Sequence, residues 1–408
     1  MMRLKTVVAL ALTYAILGML MNSVGIVILQ SIRHFGATKP MGSTLEACKD
    51  LSVVAASFLL GVHVASFGYR RALIAVLAVM ATACLLASGA TGFAAMQWLF
   101  VATGLCFGVA KVATYSAIGL LADNPAEHAS LTGVIEGGFM VGVLSGAWIF
   151  GYFVGIDDSG RAWLRVYWLL AGLCAVAAGL WLTVRLDESA APAGQDAAAG
   201  WGEMVRLAAL PATVAVLAGL FLYVLIEQGV GTWLPTFNSE ALHLSPAMSV
   251  QMSSLYLGAL ALGRLASGAV LRRVAWLPVL LACLAGAALP VIVALPLAHG
   301  LGGASVTAWS DAPVAAYLFP MIGFFLAPIY PTICSVSLSA LPRHRHPAMV
   351  GLIVVFSALG GTLGSFITGL LFQNLSGPLA FYFVLLPIAL VAIVLVSVRR
   401  MHSGPVAA

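Results

Sequence analysis

Residues 275–298 read AWLPVLLACLAGAALPVIVALPLA and contain no charged side chain. A helix that crosses the hydrocarbon core of a bilayer needs about 20 mostly apolar residues. Because backbone groups in hydrocarbon must pair within their own segment, a continuous apolar run of this length predicts a transmembrane helix. A membrane β-barrel would show short strands of alternating polarity instead, and this stretch does not alternate.

The rest of the chain has the same character. Its 408 residues are 62% hydrophobic and 8% charged, with a mean hydropathy of +1.06. Average soluble domains carry about 25% charged residues, so this composition excludes an ordinary soluble protein. Further apolar runs lie near residues 6–30, 43–67, 72–91, 94–121, 131–154, 166–184, 212–234, 249–271, 312–340, 349–373 and 378–398. We therefore predict an all-α membrane protein with twelve transmembrane helices.

The N-terminal sequence MMRLKTVVALAL has the charged start and apolar run of a signal peptide. However, the run continues to Gln30 with no A-x-A cleavage site before it ends. We interpret it as a retained first helix.

Motifs of enzymes and metal proteins are absent from the sequence. The six cysteines lie in apolar runs without C-x-x-C spacing, which indicates neither a disulfide framework nor a zinc site. No H-E-x-x-H, G-x-S-x-G or P-loop pattern occurs, so ATP-driven transport has no support. We expect a protein that is not an enzyme and that needs no cofactor or metal.

The distribution of basic residues predicts the orientation. With an even number of helices both termini lie on one side, and placing that side in the cytoplasm puts twelve basic residues inside and four outside. Basic residues collect on cytoplasmic loops, which predicts cytoplasmic termini in a bacterial inner membrane. The same rule accounts for the net charge of +5, so we expect the lipid bilayer and no nucleic acid as a partner.

One long polar connection, residues 185–211, is rich in Ala, Gly and Pro and is typical of a flexible cytoplasmic linker. It separates residues 1–184 from residues 212–408, with six predicted helices in each part. Two pseudo-symmetric six-helix bundles around a midplane site are the architecture of alternating-access carriers. We expect such a carrier to work as a monomer on a small-molecule substrate and protons.

The loop after the second helix, residues 61–71, reads GVHVASFGYRR. It resembles the signature loop G-x-x-x-D-R-x-G-R-R of the major facilitator superfamily. It shares the two glycines and ends in two arginines, whereas Ala65 and Ser66 replace the family's acid and first arginine. The resemblance implies a gating loop that contains Gly61, Gly68, Arg70 and Arg71 but lacks the usual gating acid.

The second half resembles the fucose-permease-like branch of that superfamily. The matching segments are YVLIEQGVGTWLP at 223–235, Gly263-Arg264, GFFLAPIYPT at 323–332 and Gly360-Gly361. That branch places coupling acids in helices 1 and 4, where this chain has Asn22 and Lys111. Proton–sugar symport by that mechanism is therefore disfavoured.

Features of the first half are similar to exporters. Gly133, Gly142 and Gly146 have the spacing of the antiporter motif G-x8-G-x3-G-P-x2-G-G, although ordinary small-residue helix packing would give a similar pattern. Residues 45–51 and 127–138 are similar to a bacterial group that includes exporters of alcaligin-type siderophores.

Seven charged residues fall inside predicted helices, where each costs about 2.5–3.5 kcal/mol at the bilayer centre. They are Glu46, Lys49, Asp50, Lys111, Glu136, Glu227 and Arg264. The first three share one helix face near the outer end, as a functional cluster or as a structural ion-pair cluster. Similar depths in consecutive helices predict a buried ion pair between Lys111 and Glu136, which could open during coupling.

Glu227 is the leading candidate for proton or substrate binding. It lies near the middle of helix 7 beside Gln228, and no basic residue lies within one turn of it in the sequence. A carboxyl group in that position is suited to binding and releasing a proton. Arg264 stays charged, so it needs a carboxylate, helix carbonyls or an anionic substrate as its partner.

These features leave three functions to compare. The favoured one is proton-driven export of a small polar or anionic metabolite such as a siderophore. The second is proton-coupled uptake of a sugar or similar neutral solute, which the resemblance of the second half to the fucose-permease-like branch supports. The third, a membrane enzyme or a transporter-derived sensor, would need a catalytic cluster or an added soluble domain.

Overall fold

A computed structural model describes residues 2–122, 124–156, 161–188, 197–298, 306–342, 345–375 and 377–403. Over these residues the chain is helical and contains no β-strand, apart from one isolated bridge between Leu244 and Val306. The predicted all-α class is confirmed.

The first part of the chain contains eight α-helices. They are α1 (Met2–Met21), α2 (Val24–Phe35), α3 (Lys39–Ala55), α4 (Gly61–Phe67), α5 (Tyr69–Ser88), α6 (Phe93–Leu121), α7 (Pro125–Ile156) and α8 (Val166–Thr183).

Eleven further helices follow in the described residues of the second part. They are α9 (Ala197–Ala208), α10 (Pro211–Glu240), α11 (Pro246–Met252), α12 (Ser254–Val270), α13 (Trp276–Leu297), α14 (Val314–Leu318), α15 (Ile322–Leu326), α16 (Ile329–Ser339), α17 (His346–Asn374), α18 (Gly377–Tyr382) and α19 (Leu385–Ser403).

Ten helical segments in the described part of the chain are long and apolar enough to cross a membrane, so the protein is a multi-pass membrane protein. The predicted number of twelve is not reached by this measure. The two predicted spans that are missing are 43–67 and 249–271. The first is divided by a π-helical turn at Ala56–Leu60, and the second is divided between α11 and the 17-residue α12.

The predicted first helix, residues 6–30, is interrupted. α1 ends at Met21 and α2 begins at Val24. At the break, the Asn22 side chain donates to the Gly18 carbonyl at 3.1 Å, and the Ser23 hydroxyl donates to the Leu20 carbonyl at 2.8 Å. Short polar side chains that bond to nearby backbone compete with the helical pattern, which explains a break that hydropathy does not predict.

The chain divides into two compact units, Met1–Gln195 and Asp196–Ala408. In the first unit α1 packs against α7, and α3 packs against α6. Glycines permit both close approaches. A Cβ atom on Gly142 would lie 2.0 Å from the Ala15 carbonyl oxygen, and one on Gly104 would lie 2.2 Å from the Lys49 carbonyl oxygen.

The second unit uses the same packing device. α10 packs against α17, and α12 packs against α15. A Cβ atom on Gly364 would lie 2.3 Å from the Leu225 carbonyl oxygen, and one on Gly263 would lie 2.1 Å from the Phe324 carbonyl oxygen. Small residues that let two backbones approach are the usual basis of tight helix pairs in membranes.

The segment predicted as a flexible linker, 185–211, contains the helix α9. α9 packs against α17, and its Glu203 forms an ion pair with Arg345, with 2.9 Å between Oε1 and Nε. Residues 189–196 lie outside the described residues. Within the predicted linker, Ala197–Ala208 therefore form a helix that contacts the second unit through packing and an ion pair.

Candidate substrate and coupling site

The Glu227 carboxylate lies within the long helix α10 and faces a cation from another helix. Arg264 of α12 places Nη2 3.8 Å from Glu227 Oε1. The Glu227 side chain is 20% exposed and that of Arg264 is 48% exposed. Gln228, the next residue on α10, is also partly exposed. The partner that Arg264 requires is therefore Glu227, a pairing that spacing along the sequence does not reveal.

Tyrosines surround this pair. The Tyr256 hydroxyl donates to the Glu227 carbonyl at 3.1 Å. Tyr223, one turn before Glu227, packs its ring 5.8 Å from that of Tyr330. The Tyr223 hydroxyl is buried beside the Glu227 carboxylate. The second unit thus brings an acid, a cation and a buried hydroxyl close together.

In the first unit the predicted Lys111–Glu136 ion pair is wrong, because no such pair forms among the described residues. Glu136 instead accepts a hydrogen bond from the Tyr115 hydroxyl. The Lys111 side chain is exposed, whereas Glu136 is partly buried. Similar depth in consecutive helices did not settle the pairing, because the rotation of α6 and α7 decides which side chains meet.

The charged cluster of Glu46, Lys49 and Asp50 lies in the middle of α3 and is an ion-pair network. Lys49 Nζ bonds the Glu46 carboxylate, lies 3.5 Å from Asp50 Oδ1 and donates to the Met21 carbonyl at 3.5 Å. Glu46 is fully buried and Lys49 is 4% exposed. These contacts favour the structural interpretation of the cluster, since mutual pairing relieves the cost of burying three charges. Asn22, predicted as a coupling residue, is exposed at the end of α1.

The gating loop is stabilised by an acid that the sequence comparison missed. Gly68 has a φ of 94° and separates α4, which Gly61 begins, from α5. Glu188 follows α8 and accepts from the backbone N–H groups of Tyr69 at 3.0 Å and Arg70 at 2.9 Å. A carboxylate at a helix N-terminus satisfies free N–H groups and interacts favourably with the helix dipole.

Arg70, at the start of α5, also bonds to the end of α8. Its Nε donates to the Trp181 carbonyl and its Nη2 to the Leu182 carbonyl, each at 3.0 Å, at the C-terminal end of α8. Arg71 is exposed. Glu188 therefore provides a carboxylate at this loop, where this chain has Ala65 in place of the family's acid. The sequence signal was an acid just beyond the sixth predicted helix.

The three glycines of the antiporter pattern lie in α7 and differ in whether they contact α1. Gly142 and Gly146 lie against α1, and a Cβ atom on Gly146 would lie 3.3 Å from Met19 Cα. Gly138, four residues before Gly142, also faces α1, with a Cβ position 3.1 Å from the Ala11 carbonyl oxygen. Around Gly133 no atom lies within 4 Å of the Cβ position. The glycines of α7 that pack against α1 are therefore Gly138, Gly142 and Gly146, and Gly133 is not one of them.

Trp233 does not provide an open platform for a sugar ring. It is fully buried, donates from Nε1 to the Ser365 carbonyl at 2.9 Å and stacks on Phe372. Tyr256 is likewise buried. Trp233 and Tyr256 therefore belong to the packed interior of the second unit.

The family model of the Major Facilitator Superfamily matches residues 10–310. No curated protein sequence matches the chain significantly. Among solved structures, the fold is similar to a bacterial homolog of the human lysosomal transporter Spinster, inward-facing and occupied, with 14% identity, a TM-score of 0.70 and coverage of 98% of this chain and 97% of the other.

Two other solved structures show the same likeness in fold. The nucleoside transporter NupG has 14% identity and a TM-score of 0.72, with 99% of each chain covered. A D-xylose-proton symporter has 12% identity and a TM-score of 0.70, with 97% of each chain covered. At these identities the likeness concerns the fold alone.

Proposed function

The chain belongs to the Major Facilitator Superfamily and is a transporter rather than an enzyme, and from this premise we propose that it exports a small polar or anionic metabolite in exchange for protons. A siderophore is a metabolite of this kind. Transport proceeds by alternating access, in which the bundles 1–184 and 212–408 change their mutual orientation.

The observation that carries this proposal is the Glu227–Arg264 pair within the spans. Strong ion pairs have N–O distances of about 2.7–2.9 Å, so a pair at 3.8 Å is loosely held. Arg264 supplies a counter-charge, while Glu227 keeps lone pairs for another donor. The buried Tyr223 hydroxyl provides a second polar atom beside that carboxylate.

Antiport follows from competition for one group. A hydroxyl or amine of the solute can donate a hydrogen bond to the ionised Glu227 carboxylate. A proton on the same group removes its charge and turns one of its oxygens from an acceptor into a donor, which weakens the bond to the solute. Proton binding on one side of the membrane therefore releases the solute there, and proton loss on the other side prepares the carrier for the next solute. A ligand moves such an equilibrium only by its different affinity for the two states.

The membrane arrangement completes the proposal. Residues 39–67 and 246–270 add two further spans to the ten that are long and apolar enough to cross a membrane, which gives twelve. Both termini lie in the cytoplasm of a bacterial cell, the carrier resides in the inner membrane, and it works as a monomer. The excess of basic residues on the loops of that side supports this orientation.

The test compares metabolites inside and outside cells of a strain that lacks the gene with those of its parent. Export predicts that one polar or anionic compound accumulates inside the deletion strain and decreases in its medium, and that the wild-type gene reverses both changes. A compound that instead accumulates in the medium would establish uptake and overturn export. An unchanged metabolite profile under conditions of confirmed expression would also contradict the proposal.

A further inference from the structure

The exposed Lys111 requires an explanation in physical terms. It lies in the second half of α6, ten residues before Leu121, which at 1.5 Å per residue is about 15 Å from the end of that helix. No ion-pair partner for it occurs in the described part of the chain. In lipid, a lysine at this depth would have to extend its side chain towards the membrane surface to keep its charge in water. Exposure to lipid would therefore be costly, and exposure to a water-filled solute pathway would not.

Aromatic rings flank this lysine on its own helix. Phe107 lies one turn before it and Tyr115 one turn after it, and residues four apart are neighbours on a helix surface. Both rings are partly exposed. Phe139 of α7 is also partly exposed, with its ring centroid 5.8 Å from that of Phe107. The cation therefore stands among aromatic surfaces rather than among carboxylates.

A buried tyrosine holds the rings in place. Tyr14 of α1 is 1% exposed, and its ring lies 6.2 Å from Phe107, 6.5 Å from Tyr115 and 6.1 Å from Phe139. Tyr115 is also fixed by its hydrogen bond to Glu136. Glu136 accepts from this hydroxyl, and among the described residues it forms no ion pair with Lys111. The rings and the cation thus form a preorganised surface.

We propose that Lys111, Phe107, Tyr115 and Phe139 form a subsite for an aromatic carboxylate. The Lys111 ammonium pairs with the carboxylate, and the partly exposed rings stack on the aromatic ring. Both interactions are needed together: the charge selects anions over neutral aromatic compounds, and the rings select aromatic acids over aliphatic ones. This inference rests on the proposed transport function and specifies the substrate class.

Three probes separate the two contributions. Benzoate has the charge and the ring, cyclohexanecarboxylate has the charge with a saturated ring, and benzamide has the ring without the charge. Binding of each to the purified full-length protein is measured by titration calorimetry in detergent micelles. We expect benzoate to bind more tightly than either analogue. A charge-assisted hydrogen bond corresponds to a difference of about tenfold to a hundredfold, and an aromatic contact to about threefold to tenfold.

Variants assign the effect to the proposed residues. Lys111→Gln should weaken benzoate binding by about tenfold or more and leave benzamide binding unchanged, whereas Lys111→Arg should retain most of the affinity for benzoate. Phe107→Leu should reduce the preference for benzoate over cyclohexanecarboxylate. Lys5→Gln removes the same charge at an exposed position near the start of α1 and should have no effect. Thermal unfolding without ligand shows whether each variant is folded.

Three results would overturn the subsite: equal affinity for benzoate and benzamide, equal affinity for benzoate and cyclohexanecarboxylate, or unchanged benzoate binding in Lys111→Gln. The proposed function is tested separately by the deletion strain. If export of a metabolite is lost in that strain but benzoate does not bind, only the subsite is wrong. If benzoate binds as expected but the metabolite profile does not change, the export function is wrong.

Discussion

Arg264 on α12 and Glu227 on α10 face each other with 3.8 Å between Nη2 and Oε1. Each is a charged residue in a largely apolar helix, and each supplies the partner that the other lacks on its own helix. In the first unit the acid and the cation do not pair. Glu136 accepts a hydrogen bond from the Tyr115 hydroxyl, and Lys111 is exposed. The two units therefore present different chemistry, one a loose ion pair and the other a cation among rings.

The first prediction concerns the proposed proton site. Glu227→Gln keeps the size and polarity of the side chain but removes its ability to release a proton. We expect this variant to insert normally and to lose proton-coupled transport. The measurement is proton movement in proteoliposomes with an imposed pH gradient, driven by the metabolite that accumulates in the deletion strain.

Glu240→Gln is the matched control for that variant. It makes the same change at the exposed C-terminal end of the same helix, and it should leave transport intact. Full proton-coupled activity in Glu227→Gln would remove Glu227 from the mechanism.

The second prediction concerns the energetic coupling of the Glu227–Arg264 pair. Arg264→Gln and Glu227→Gln are combined in a double-mutant cycle, and the free energy of unfolding is measured by denaturant titration in mixed micelles. Because Arg264 is 48% exposed, we expect a modest coupling energy of about 0.5–1 kcal/mol. The double variant should lose less stability than the sum of the single variants. A cycle between Arg264→Gln and Glu240→Gln should show no coupling; equal values in the two cycles would contradict the pairing.

Most of the fold could be predicted from hydropathy, because long apolar runs leave the backbone few choices other than helices. The interruptions could not be predicted in this way. The break at Asn22 and Ser23 depends on hydrogen bonds from side chains to backbone, and the turn at Ala56–Leu60 changes the backbone hydrogen-bond pattern without a change in composition. Average hydropathy contains neither kind of information.

The site was predictable as a set of residues but not as a set of pairs. A charge in an apolar run identified Glu227, Arg264 and Lys111 directly, since each is costly there. The partner of each depends on helix rotation, which one sequence does not determine. The sequence therefore does not name Glu227 as the partner of Arg264. It predicts that Lys111 pairs with Glu136, whereas Glu136 bonds the Tyr115 hydroxyl in the structure.

The third prediction concerns the acid at the gating loop. Glu188→Ala removes the acceptor for the Tyr69 and Arg70 N–H groups at the start of α5. Loss of an acceptor at a helix N-terminus costs about 1 kcal/mol, so we expect a reduced free energy of unfolding. Glu188→Gln keeps one acceptor oxygen and should show a smaller loss. Equal stability of Glu188→Ala and the unchanged protein would show that this contact does not stabilise the loop.

The last prediction separates helix packing from an exporter motif in α7. Gly142→Ala would place its Cβ atom 2.0 Å from the Ala15 carbonyl oxygen. The obstacle is backbone and cannot rotate away, so α1 and α7 must move apart. Overpacking of this kind typically costs about 1–3 kcal/mol. We expect a lower free energy of unfolding and, as a consequence, reduced transport.

Gly133→Ala is the matched control, because it makes the same substitution but meets no atom within 4 Å, and alanine is the better helix former. We expect this variant to keep both its stability and its transport rate, because the close contact with α1 runs through Gly138, Gly142 and Gly146. Thermal unfolding and transport are measured on the same preparations. A stable Gly133→Ala protein that no longer transports would show that the glycine spacing has a role in exchange beyond the packing of α7 on α1.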